Sequence, residues 1–173
     1  LQGGKDSASE RYIFTQLNSM TRTIFPSADD NVLTYLNDDG LAVEPLYYCP
    51  IIPMILVNGS KGIGTGFSTE VLSYNPIDII QYLQNKLQGN ENKIDFIPYY
   101  ENFRGEIRKI LDTKFLVKGK YEKISEDKIR ISELPIGFWT EDFKELLEKL
   151  IEPDVGKDGK KKQSFIKDYD DMS

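Results

Sequence analysis

Histidine is missing altogether from this 173-residue chain. Its absence removes Ser-His-Asp and Cys-His catalysis, His-ligated zinc, and the usual general base near neutral pH. Any chemistry falls to Tyr, Lys, Arg or carboxylates, or to a metal held elsewhere. Cysteine is almost missing too. The one thiol, Cys49, excludes an internal disulfide framework and fits a reducing compartment. Its place in Tyr47-Tyr48-Cys49-Pro50-Ile51 predicts a packed thiol rather than a reactive one. No run of eighteen apolar residues exists, as a membrane-spanning helix requires. The opening Leu1-Gln2-Gly3-Gly4-Lys5 lacks the apolar stretch of a signal peptide. It also lacks an initiator Met and begins directly on a glycine-rich motif, so the chain reads as a fragment of something larger. A basic excess is absent as well: 22 Lys and Arg face 28 Asp and Glu, a net charge of −6. That argues against a stand-alone nucleic-acid binder. In a fragment the argument is weaker, because charge distributes unevenly over faces and domains.

What is present describes an ordinary globular chain, 39% hydrophobic and 29% charged, long enough for one domain or two small ones. Near its start, Ser7 and Glu10 have the S-x-x-E spacing of a capping box and predict a helix beginning there. Arg11 and Tyr12 would sit in its first turn, at the positive end of the helix dipole. A phenol beside a guanidinium, near unpaired backbone N–H groups, is placed to meet a phosphate. The alternative is that Tyr12 is one of ten tyrosines and Arg11 its exposed neighbour. Ile13, Leu17, Met20 and Ile24 recur on one helical face, predicting a core helix that Pro26 stops. With Ile13 facing the core, Tyr12 would be free to face a groove.

Residues 27–46 predict a turn, a short helix around Val32–Leu36, and a hairpin-like turn at Asp39-Gly40 into an extended segment. The pairs Asp29-Asp30 and Asp38-Asp39 read as surface turns, since neither has the further ligands a hard cation needs. The apolar run from Ile51 to Val57 predicts a buried strand or extended segment, and a glycine loop follows it. Asn58-Gly59-Ser60-Lys61-Gly62-Ile63-Gly64-Thr65-Gly66 matches neither known phosphate loop. Lys61 lies inside the P-loop spacing rather than after its last glycine, and the alternate glycines do not make a dinucleotide-binding turn. What remains is a backbone suited to close approach, with Ile63 alone among glycines as an apolar projection. Apolar wedges that enter a base step and kink a duplex are one use of such a side chain.

Asn75-Pro76 reads as cap and first turn of a helix carrying Ile77, Ile80, Leu83 and Leu87 and ending near Gly89. Strand patterns follow at residues 105–111, 115–121 and 128–134, fitting a short antiparallel sheet with one wet face. Arg104, Arg108, Lys109, Lys118, Lys120, Lys128 and Arg130 mark either a solvated face or a basic strip along a DNA backbone. Pro135 to Trp139 predicts a rigid turn, Thr140 the cap of a last helix, and Phe143, Leu146, Leu147, Leu150 and Ile151 its apolar stripe. Residues 157–162 read as a polar loop, and residues 165–173 as the start of a further element.

Taken together, these motifs resemble the DNA breakage-reunion core of type IIA DNA topoisomerases, in the manner of the eukaryotic and large-virus topoisomerase II branch. The resemblance rests on Gly3-Gly4-Lys5-Asp6-Ser7-Ala8-Ser9 running into Arg11-Tyr12-Ile13-Phe14-Thr15, on Val43-Glu44-Pro45, and on Pro50-Ile51-Ile52-Pro53-Met54. Asn58-Gly59, Gly62-Ile63-Gly64-Thr65-Gly66, Asn102-Phe103-Arg104-Gly105, Ile131-Ser132-Glu133-Leu134-Pro135 and Trp139-Thr140 extend it over essentially the whole chain. It implies an α+β fold: the C-terminal part of a winged-helix domain over residues 1–50, then a tower domain over residues 51–173. That tower domain would hold a mainly antiparallel sheet and flanking helices, and be truncated at its C-terminal end.

The resemblance also implies roles. Tyr12 corresponds to the tyrosine that attacks a DNA phosphodiester and forms a 5′-phosphotyrosyl link, and Arg11 to the arginine that places and neutralises the scissile phosphate. Ile63 corresponds to the intercalating isoleucine that bends the gate DNA, in agreement with the wedge reading. Lys5, Ser7, Ser9, Lys61 and Thr65 are the further DNA-facing positions. Glu10 departs from the pattern, standing where a small residue or proline is usual and placing a negative charge beside the phosphate. A double-stranded DNA partner, a homodimeric full-length enzyme and a nuclear location (or viral and host cytoplasm) are implied too, with no membrane. Mg2+ and ATP are implied for the full-length enzyme, both bound outside this fragment. The fragment alone is expected to be inactive. Two other readings are a non-catalytic DNA-binding or scaffolding module of the same fold and, from net charge alone, an acidic protein-interaction domain.

Overall fold

The computed structural model describes residues 4, 7–90, 93–153 and 163–172. The described residues are α+β, with helices and four two-stranded antiparallel sheets. They divide into two compact units, Phe14–Asn102 and, around it in sequence, Leu1–Ile13 with Phe103–Ser173.

In the first of these, the helix expected through residues 13–24 is reduced to α1, Thr21–Ile24. The physical reason is that its apolar face has nothing to cover it. Phe14, Leu17 and Met20 are exposed, and isolated helices of this length are not stable without a packed face. Asn18 starts the surviving turn instead. Its Oδ1 accepts the Met20 N–H at 2.9 Å and its carbonyl accepts the Thr21 N–H at 3.0 Å. Arg22 Nη1 then bonds both carboxylate oxygens of Asp30, at 3.0 and 2.9 Å, tying α1 to the 3-10 turn Ser27–Asn31.

Strand β1, Tyr35–Asp38, replaces the short helix expected at Val32–Leu36, and β2, Leu41–Pro45, is the extended segment expected after the turn. Asp39 (φ 48°) and Gly40 (φ 92°) both take left-handed backbone, the signature of a type I′ hairpin turn. The Asp-Gly pair therefore does what its sequence predicts. Cys49 is exposed rather than packed, beside two exposed tyrosines. The run after Pro53 is a short helix, α2, Met54–Asn58, not a strand. Proline's fixed φ suits a helix start, and a five-residue apolar run carries no periodicity that distinguishes the two.

Beyond the hairpin of β3, Ser60–Gly64, and β4, Phe67–Val71, lies α3, Pro76–Leu87. It begins as expected, with Asn75 Oδ1 accepting the Ile77 N–H at 2.9 Å and Pro76 in the first turn. Its buried face is rotated from the expected one. Ile79 is 2% exposed and Tyr82 and Leu83 are partly covered, whereas Ile77 and Leu87 are exposed. The cause is aromatic: Phe96 meets Tyr74 and Tyr82 edge to face, with ring centroids 5.8 and 5.5 Å apart.

In the other unit, β5 (Glu106–Leu111) pairs with β6 (Lys114–Lys118) and β7 (Lys120–Lys123) with β8 (Ile129–Glu133). The single sheet predicted is thus two separate hairpins. Between them Gly119 allows a close pass that a Cβ would block, since that atom would run into the Glu133 carbonyl oxygen. The basic side chains are largely neutralised at home. Arg108 lies 2.6 Å and Lys118 3.7 Å from Glu106, Lys109 lies 3.1 Å from Asp112, and Arg130 lies 2.8 Å from Glu122. Arg108's hydrogen bond and charge, with a smaller share from Lys118, hold the Glu106 carboxyl below the usual carboxylate range. These four cations are thus paired with carboxylates of their own unit.

A turn at Pro135–Phe138, closed by Phe138 N–H to the Pro135 carbonyl at 3.0 Å with Gly137 at φ 85°, leads to α4, Thr140–Ile151. Thr140 is the first helical residue rather than its cap, and Trp139 precedes it. Phe143, Leu147, Leu150 and Ile151 are not all equally covered, but none of the stripe is fully buried and Leu146 is exposed. Residues 163–172 form no regular element. They lie along α4 through Phe165 N–H to the Leu150 carbonyl (3.0 Å) and Asp171 to Lys144 Nζ (2.7 Å). The polar loop at 157–162 lies outside the described residues.

Replacing Asn75 by Ala should cost about 1 kcal/mol of stability, the usual worth of a helix N-cap. Chemical denaturation of the two proteins measures it.

Candidate functional site

The sequence singles out two clusters, one in each unit. The first is built on a 3-10 turn, Glu10–Tyr12, in place of the α-helix expected from Ser7. Ser9 precedes it, its carbonyl accepting the Tyr12 N–H at 3.0 Å, and no side-chain cap forms. The capping box therefore does not close. Ser7 instead gives its N–H to the Gly4 carbonyl at 3.0 Å, in a turn where Gly4 takes φ 81°. Lys5 lies outside the described residues.

This tight turn brings the Arg11 and Tyr12 side chains together although they are adjacent in sequence. Arg11 Nη2 donates to Tyr12 Oη at 3.1 Å, and the guanidinium carbon lies 4.6 Å from the ring centroid. The guanidinium thus lies over the ring and reaches its oxygen. A cation over an aromatic face is worth about 0.5–1 kcal/mol when exposed. More important is where the donor points. A phenolic oxygen that receives a cationic N–H is stabilised further as it gains negative charge. Arginine carries five N–H donors, so those not used on Tyr12 remain to hold a phosphate. Tyr12 is 70% exposed, and its oxygen is open to an incoming group. Ile13 does not face a core as expected; it too is exposed.

The second cluster stands on the β3–β4 hairpin, where the sequence predicts only a loop. Its register pairs Ser60 with Val71, Lys61 with Glu70, Gly62 with Thr69, Ile63 with Ser68, and Gly64 with Phe67. Thr65 and Gly66 are the two-residue tip, Gly66 alone taking left-handed backbone at φ 79°. Residues two apart on a strand share a face, as do residues directly opposite. Lys61 and Ile63 therefore lie on one face with Ser68 and Glu70. Ile63 is 94% exposed. An isoleucine held in solvent on a paired strand, flanked by two glycines that leave its sides bare, has the shape of a wedge.

Gly59 joins this hairpin to α2 at φ 68°, a conformation natural to glycine. A Cβ there would lie 2.7 Å from the Val71 carbonyl oxygen and 2.8 Å from Ser73 Oγ, which itself donates to the Asn58 carbonyl at 3.0 Å. Glu70 is the residue the sequence motifs did not single out, because its pairing with Lys61 required the hairpin register. Among the described residues no three His, Cys, Asp or Glu side chains gather into a group that could hold a metal ion. No described helix is long and apolar enough to cross a membrane.

A family model described as DNA gyrase/topoisomerase IV (the A-subunit family) matches residues 1–173. The chain belongs to that family. DNA topoisomerase 2 top-2 of Caenorhabditis elegans is 48% identical over 170 residues, covering 98% of this chain and 11% of the relative. DNA topoisomerase 2 of Acanthamoeba polyphaga mimivirus is 43% identical over 164 residues, covering 95% of this chain and 13% of the relative. The crystal structure of the Plasmodium falciparum topoisomerase II DNA-binding, cleavage and re-ligation domain matches with a TM-score of 0.77 at 46% identity. That match covers 87% of this chain and 20% of the solved one. This member of the gyrase/topoisomerase IV family thus spans between a tenth and a fifth of the length of these relatives.

Substituting Gly59 by Ala should destabilise this unit by about 1–3 kcal/mol, the range for strained left-handed backbone, because Val71 and Ser73 leave the methyl no room. A denaturant titration beside wild type gives the difference.

Proposed function

We propose that this chain is the part of a type II DNA topoisomerase that carries the nucleophile for strand cleavage and the wedge that bends the cleaved duplex. The observation that carries the reading is the Arg11 guanidinium lying over the Tyr12 ring and donating to its oxygen. In this reading residues 1–50 are the C-terminal part of a winged-helix domain and residues 51–173 belong to a tower domain. Ser7, Ser9, Lys5, Lys61 and Thr65 touch the DNA. Magnesium and ATP are bound by other parts of a homodimeric enzyme, in the nucleus or, for a viral protein, in viral and host cytoplasm.

The chemistry follows from the pair. Tyr12 Oη forms a bond to phosphorus while the bond from phosphorus to the 3′ oxygen breaks, leaving a 5′-phosphotyrosyl link and a 3′ hydroxyl. The proton that the phenol loses is balanced by the one the 3′ oxygen gains. One ester replaces another, so the reverse step reseals the strand without a new energy source. Arg11 stabilises the phenolate as it forms and the extra charge on the phosphoryl oxygens in the transition state. Strand passage through the double break, driven by ATP elsewhere in the enzyme, then changes DNA topology.

Two experiments test this. Full-length protein incubated with duplex DNA and magnesium should give a covalent protein–DNA adduct, and Tyr12→Phe should give none. An adduct that survives the substitution removes Tyr12 from the chemistry. No adduct from wild type would leave a DNA-binding module without catalysis. Ile63→Ala should leave thermal stability within about 0.5 kcal/mol, as for exposed side chains generally. It should also reduce DNA bending, read by energy transfer between dyes at the duplex ends. Equal bending by both proteins rejects the wedge.

A further inference from the structure

The hairpin face that carries Ile63 also carries an acid, and a carboxylate on the same face as a DNA wedge needs an explanation. Glu70 lies directly opposite Lys61 in the β3–β4 register, and its Oε1 is 3.5 Å from Lys61 Nζ. Both side chains are exposed, 64% for Glu70 and 81% for Lys61. Lys61 is two residues from Ile63 on the same strand face, about 6.8 Å along the strand. The cation best placed to meet the backbone beside the wedge is therefore already engaged. The Glu70 charge also acts on Tyr100, whose hydroxyl is pushed above its ordinary pKa first by burial, then by Glu70, then by Tyr74.

We propose that Glu70 is an internal competitor for the DNA backbone: it holds the Lys61 ammonium across the hairpin in the free protein and yields it to a phosphate when Ile63 enters the duplex. An exposed ion pair is worth little, so a phosphate displaces it at small cost. The exchange gives up the Lys61–Glu70 pair, which lowers affinity by that pair's worth and favours release. Glu70 thus acts through Lys61, as a positioning residue that sets how tightly the wedge face holds DNA. This rests on the DNA-binding reading of the hairpin.

The test is DNA binding by the full-length protein and by Glu70→Gln, Lys61→Gln and the double variant, each titrated with salt against one duplex. Glu70→Gln should tighten binding about two- to fivefold, the span open to an exposed pair. It should also steepen the slope of log affinity against log salt, by up to about one counterion. Lys61→Gln should weaken binding. In the Lys61→Gln background, Glu70→Gln should change affinity much less than in wild type, since its effect passes through the lysine. An equal gain with and without Lys61 would mean plain repulsion and overturn the proposal, as would unchanged or weaker binding by Glu70→Gln. DNA bending by wild type, measured alongside, separates the two failures. Bending lost in Ile63→Ala but with no Lys61–Glu70 coupling sinks this proposal alone; absence of bending by wild type sinks the wedge reading with it.

Discussion

Hydrogen-bonded pairing between strands adjacent in sequence holds most of the elements in place, because burial contributes so little. Each of the four sheets is one hairpin, and Ile79 is the one large apolar side chain buried among the described residues. Hairpins closed by two-residue turns need no large core to set their register. They do need something on their apolar faces to be stable.

That economy shapes both clusters. The β3–β4 hairpin takes its register from its own ladder and its tip from Gly66, while Gly59 and Ser73 fix where it leaves α2. Ile63 can then be held in solvent without a packed partner, which is what a wedge requires. At Arg11-Tyr12 a 3-10 turn presents both side chains to solvent, and the long Arg11 side chain folds over the Tyr12 ring to reach its oxygen.

What the sequence made legible follows from the same physics. Asp39-Gly40 and Asn75-Pro76 are local signals, and both hold in the structure. The family was legible because its motifs recur in order along the whole chain. The helix through 13–24 failed because amphipathic spacing presumes a core to face, and here Phe14, Leu17 and Met20 face solvent. The buried side of α3 failed because Phe96, which covers Tyr82, lies nine residues beyond the helix end at Leu87. Ile63, the wedge of the proposed function, stood out in the sequence as an isoleucine among glycines. Its acidic neighbour did not, because Glu70 meets Lys61 only through a register that alternate glycines conceal.

The missing histidine sharpens what Arg11 can and cannot do. A guanidinium stays protonated at any working pH, so it accepts no proton from Tyr12. What it does in the structure is donate an N–H to the phenolic oxygen. Acid–base work and charge stabilisation are therefore separate tasks at this site. In the proposed cleavage Arg11 performs the second, and the proton passes to water or to a group outside the Arg11–Tyr12 pair. A lysine at position 11 would keep the charge but not the planar fork that covers the ring and still reaches both the phenol and a phosphate. The geometry of the pair, rather than its charge alone, is what suits it to a phosphodiester.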